Sequence, residues 1–220
     1  MRHQSGFTLV EIAIVLVIIG LLLGGVLKGQ ELITQAKIKN VAKDFESVTV
    51  AIYAYQDRYK RIPGDDPGAG RWSVEGAALS PPASTNNSVI DGGATAGYAS
   101  TTNTDENRLF WAELRLAGFI SGPTDTLPNA VAQPTNAAGG ILGVQNNGLG
   151  LQGTVICSGS LPAKIAAAID AQFDDGNGLT GTVRGILDPV PPTAVPAALP
   201  GTAQTYNETG NALYVVCRTL

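Results

Sequence analysis

The chain has 220 residues, 44% of them hydrophobic, with a formal charge of −4 and a single histidine, His3. That length accommodates one membrane helix and one head of roughly 160 residues and argues against a second domain, while the mildly acidic balance argues against a nucleic-acid-binding surface. With the only histidine two residues from the N-terminal Met1, the body of the chain cannot supply Ser-His-Asp or Cys-His catalysis or a histidine metal site.

Residues 7–27 contain one charge, Glu11. As a helix this run is about 31 Å long, enough to cross a hydrocarbon core of about 30 Å. A carboxylate inside such a run costs on the order of 2.5–3.5 kcal/mol at the bilayer centre, so Glu11 needs a partner. A secretory signal peptide would have a shorter apolar core, no acid within it and a small-x-small cleavage site. A plain membrane anchor fits the length but predicts neither the acid nor a short polar leader ending in glycine.

The stretch Gly6-Phe7-Thr8-Leu9-Val10-Glu11, followed by the apolar run to Leu27, resembles the processing signal of type IV pilins and their pseudopilin relatives. The resemblance implies cleavage by a prepilin peptidase between Gly6 and Phe7 and N-methylation of Phe7. It also implies that Glu11 neutralises the new amine of a neighbouring subunit during filament assembly. Physically, a buried carboxylate is tolerable when paired with a positive group, but Glu11 is also one helical turn from Phe7, which leaves an intrachain contact open. The implied partners are membrane lipid before assembly, an inner-membrane platform, an assembly ATPase and further copies of the subunit or other pilins. The subunit itself would bind no nucleotide and no cofactor.

Lys28, Lys37, Lys39 and Lys43 follow the apolar run, whereas only Arg2 and the amino terminus precede it. The positive-inside bias alone would place the C-terminus in the cytoplasm. The resemblance, the low charge of the head and the two cysteines favour the opposite orientation, with the head outside.

Beyond Lys28, Ile38, Val41, Phe45, Val48, Ile52, Tyr55 and Tyr59 recur at spacings of three and four, which predicts an amphipathic continuation of the helix. Pro63-Gly64 and Pro67-Gly68 predict its end near Arg61. Gly20, Gly24, Gly25 and Gly29 weaken the first half locally and allow it to bend when packed in a filament. Residues 62–104 show no sustained period and read as a long, mostly irregular surface loop.

A short helix is then expected, with Thr104 as N-cap, Leu109, Phe110, Leu114 and Ala117 on one face, and Gly118 at its end. Trp111 reads as a core anchor. Ile141 to Cys157 predicts two strands joined at Asn146-Asn147-Gly148. The literal GxGxxG match at 148–153 lacks a following helix and a downstream ribose acid, so dinucleotide binding is not expected. A second helix is expected from an N-cap at Ser160 through Phe173. The segments 163–184 and 110–122 also resemble head-domain sequence of bacterial pilin-like proteins.

Asp174, Asp175 and Asn177 offer oxygen ligands for calcium, but the spacing is not that of an EF-hand loop, and a helix end with a turn explains the same residues. A proline-rich loop over 189–201 and a last strand over 212–217 complete the chain. Cys157 and Cys217 read as a disulfide in an oxidising compartment, worth about 4 kcal/mol by loop closure, with two free thiols as the alternative. Asn207-Glu208-Thr209 matches a glycosylation sequon that carries little weight in a bacterial chain.

The expected fold class is α+β: a long N-terminal helix packed on a small antiparallel sheet, pilin-like. The expected organisation is a leader over 1–6, a transmembrane or filament-core helix over 7–27, its amphipathic continuation over 28–61 and a head over 62–220. The resemblance implies a structural subunit, not an enzyme, that polymerises into a type IV pilus or pilus-like filament. It would begin in the bacterial inner membrane and end in an extracellular pilus. A pseudopilin of a type II secretion system, whose filament stays periplasmic, is the alternative. A membrane-anchored enzyme or binding protein is a third reading, disfavoured because no convincing catalytic cluster is present.

Overall fold

A computed structural model describes residues 8–79, 87–91, 97–189, 194–201, 203 and 205–220. Its first element, α1 (Leu9–Tyr59), is a continuous helix through Gly20, Gly24, Gly25 and Gly29. The chain divides into two compact units, one ending at Lys37 and the other running from Ile38 to Leu220. In the first unit every residue from Thr8 to Lys28 is exposed. In the second, Ile38, Val41, Ala42, Phe45, Val48, Ala51, Ile52 and Tyr55 are buried, so the three-and-four spacing does mark a core face. The helix stops at Tyr59 because Lys60 turns into the left-handed region at φ 56°, two residues before Ile62-Pro63.

The sheet has four antiparallel strands, β3 (Leu142–Gly148), β4 (Leu151–Pro162), β5 (Val183–Leu187) and β6 (Leu213–Thr219), in the order β3-β4-β6-β5. Alternation along the strands gives it two apolar faces. One face presents Leu142, Val144, Ile156, Leu161, Val183, Tyr214 and Val216 to a cluster with the α1 core residues, Phe110, Trp111 and Leu114 of α2 (Glu106–Leu116), and Ile165 and Ile169 of α4 (Ala163–Phe173). The other presents Leu151, Val155, Cys157, Val215 and Cys217 to Tyr98, Ala99 and Val195. Short connections cover both sheet edges: Gly185 on β5 donates to the Gly178 carbonyl, and Leu142 on β3 donates to that of Pro134. The architecture is α+β and pilin-like.

Several local expectations are corrected. The 62–104 stretch contains a small hairpin, β1 (Ser73–Val74) with β2 (Ala77–Ala78), and 3-10 turns at Ala69–Arg71 and Gly97–Ala99. Glu75-Gly76 makes the hairpin possible, both at positive φ, and a two-residue turn gave too little pattern to read. The β3–β4 turn is Leu149-Gly150 rather than Asn146-Asn147-Gly148, because Leu149 is fully buried and Gly150 donates to the Ala197 carbonyl, while Asn147 is absorbed as a bulge. The α2 N-cap is Asp105, not Thr104, and α4 starts after Pro162 rather than Ser160, because β4 stays paired with β6 as far as Pro162.

The helix start, the disulfide and the acidic loop

Thr8 and Glu11 form a closed pair at the start of α1. The Thr8 backbone N–H and its hydroxyl both donate to Glu11 Oε2 at 2.8 Å, and Glu11 N–H donates to Thr8 Oγ1 at 3.3 Å. This is a capping box: the N-cap threonine serves the N3 amide while the N3 glutamate serves the N-cap amide. Two of the four amides that a helix start leaves without intrahelical partners are thereby satisfied. The carboxylate also lies where the helix dipole favours negative charge. Threonine followed three residues later by glutamate, ahead of an apolar run, is itself a sequence signature of a helix start. The sequence reading considered Glu11 against charges only and missed Thr8. Gly6 and Phe7 lie outside the described residues.

Downstream of the box, the apolar run is helical, exposed along its length and long enough to cross a membrane. Its lower boundary is marked by Lys28, paired with Glu31 at 2.8 Å on the helix surface.

Cys157 and Cys217 are bonded to each other and sit opposite one another in the β4–β6 register. Both are fully buried against the Tyr98 and Val195 side of the sheet. The bond closes a separation of 60 residues and ties the last strand, β6, to its inner neighbour β4.

The carboxylates after α4 are occupied by the chain itself. Asp174 Oδ2 accepts from the amides of Thr182 and Val183. Asp175 accepts from the Thr180 hydroxyl at 2.5 Å and the Asn177 amide at 2.8 Å, contacts that, the first above all, hold its carboxyl below the usual range. Asn177 Oδ1 accepts from the Leu179 amide. Burial pushes the neighbouring Asp170 up, against hydrogen bonds from Tyr206 and Gly176. These are Asx-type turns that lead α4 into β5. Among the described residues no group of three or more His, Cys, Asp or Glu side chains is arranged to hold a metal ion. The GxGxxG glycines lie in the β3–β4 hairpin rather than between a strand and a helix.

No curated protein matches the chain. Residues 1–27 match the family model of the prokaryotic N-terminal methylation motif, the signature of type IV prepilins and pseudopilins. The match supports a type IV pilin- or pseudopilin-like precursor. Such a motif implies processing by a prepilin peptidase and assembly into filaments in general, and together with the apolar helix it fits a membrane-anchored precursor.

Proposed function

We propose that the protein is a structural subunit, cut between Gly6 and Phe7, N-methylated on Phe7 and polymerised into a type IV pilus or pilus-like filament. The observation that carries this reading is the methylation motif over 1–27 leading into an apolar helix whose surface nothing in its own unit covers. Lipid covers that surface in the precursor, and the corresponding helices of other copies cover it in the filament. Both states remove the same aliphatic area from water, which lets a subunit pass from one to the other without a large loss.

Glu11 has a role in each state. Before assembly its carboxylate is held by Thr8, which limits the cost of keeping an acid at the edge of an apolar run. Cleavage creates a positive amine on Phe7, and the pair between that amine and Glu11 of a neighbour then competes with the capping box. Glu11→Ala is expected to leave cleavage and insertion intact and to reduce filament yield at least tenfold, read by shearing and immunoblot. Normal yield refutes the pairing.

Intact mass spectrometry on sheared surface filaments and on membranes tests the whole reading. A chain starting at Phe7, one methyl heavier and two hydrogens lighter for the disulfide, in the sheared fraction is the expected result. The same mass confined to membranes transfers the protein to the secretion pseudopilins, and an uncut Met1 chain overturns both readings.

A further inference from the structure

The head contains a buried cluster of acids that the filament reading does not use. Tyr55 of α1 places its hydroxyl 2.7 Å from Asp66 Oδ2 and 3.0 Å from Glu113 Oε2. Asp66 is matched as an anion: Arg71 donates to Oδ2 at 2.8 Å and the Gly68 amide donates to Oδ1 at 2.8 Å. Glu113, on α2, is fully buried. Its Oε2 accepts from the Gly64 amide at 2.8 Å, and its Oε1 has no hydrogen-bond partner among the described residues. The charged and titratable groups facing Glu113 are Tyr55 from α1 and Asp66 and Arg71 from the segment after α1.

The protons do not balance if both acids are ionised. Tyr55 has one hydroxyl proton and two carboxylate oxygens within reach. Given to Asp66, where the contact is shorter and Arg71 stabilises the anion, it leaves the Tyr55 and Glu113 oxygens facing each other with no proton between them. Among the described residues Arg71 is the only cation facing the pair, and it already serves Asp66, so an ionised Glu113 would be a buried charge with one oxygen unserved there, which is strongly disfavoured. A proton on Glu113 Oε2, donated to the Tyr55 oxygen, completes the chain Glu113 to Tyr55 to Asp66 to Arg71.

We propose that Glu113 carries a proton at neutral pH and acts as a pH-gated latch that fastens α2 and the 62–71 segment to the last turns of α1. Steric fit holds the segment in place for it: Gly64 has φ +92°, and a Cβ there would come within 2.5 Å of the Glu106 carbonyl on the first turn of α2. Burial, helped by the Asp66 charge, pushes the Glu113 carboxyl up to about 8, against the Gly64 and Tyr55 hydrogen bonds and the Arg71 charge, which pull it down. A folded-state value raised above the unfolded one means that the folded head holds the extra proton between about 4.5 and about 8. The contribution to stability is full below that window and is lost as pH rises through it.

The test uses the full chain in detergent micelles with 13C-labelled glutamate carboxyls. The Glu113 resonance is expected to titrate with a midpoint near 8, and a midpoint in the ordinary carboxylate range, below 6, overturns the proposal. Thermal melts supply the second reading. Between pH 5 and pH 9 the wild type is expected to lose about 10 °C more in Tm than Glu113→Gln, whose amide stays neutral throughout. Equal slopes for the two proteins would also overturn it. If the variant does not fold, the wild-type titration decides alone.

Discussion

The two parts of α1 both carry large apolar side chains and dispose of them in opposite ways. Up to Lys37 the large apolar residues are exposed, with Leu9 at 91%, Leu21 at 73% and Leu27 at 66%. From Ile38 on, Phe45, Ile52 and Tyr55 are at 1% or less. In the second part, apolar residues alternate with Lys39, Lys43, Asp44 and Glu46, so a single stripe forms and the head's own sheet and helices bury it. In the first part they surround the helix, and no one-sided packing could bury them all. The difference shows that helicity and core formation are separate demands: one helix satisfies its backbone throughout, but only part of it contributes to the folding of the head.

Substitutions at matched positions sharpen this contrast. The largest effect is expected at the leader junction, where Gly6→Leu should block cleavage entirely and leave the exposed part of α1 in the membrane, seen as a precursor-length chain by mass. Next comes the buried stripe. Phe45→Ala should destabilise the head by about 3–5 kcal/mol, whereas Leu21→Ala, in the exposed run, should leave the head's unfolding midpoint unchanged. Denaturant melts in micelles compare the two, and equal losses would show that the first unit supports the fold of the second. The smallest effect is at the helix start: Thr8→Val removes the capping hydroxyl and should cost about 1 kcal/mol. It would be read as faster amide exchange in the first turn of α1 with no change in head melting.

The Glu11 and Glu113 carboxylates show the same division on a smaller scale. Glu11 is served by a residue three positions away, so its hydrogen-bond partner could be read from the motif Thr8-Leu9-Val10-Glu11 once capping was considered. Glu113 is served by Gly64 and Tyr55, which are 49 and 58 residues away. No spacing rule connects those positions, and within α2 the acid looks like an ordinary solvated residue.

By itself the sequence determined the features that depend on contiguous residues. These are the processing signal ahead of a span-length apolar run, the continuation of α1 with its core stripe, its end before Pro63, and the approximate positions of α2, α4 and the last strand. Each follows from local backbone preference or from a period that a single element imposes on its own side chains. Only the tertiary structure decided the β3-β4-β6-β5 order, the addition of β5, the placing of Cys157 directly opposite Cys217 and the true β3–β4 turn at Leu149-Gly150. It also decided that the Asp174 to Asn177 oxygens are taken up by neighbouring amides and hydroxyls. These depend on which distant segments meet, and that choice is made by burial of two sheet faces at once, a quantity that no single stretch of the chain contains.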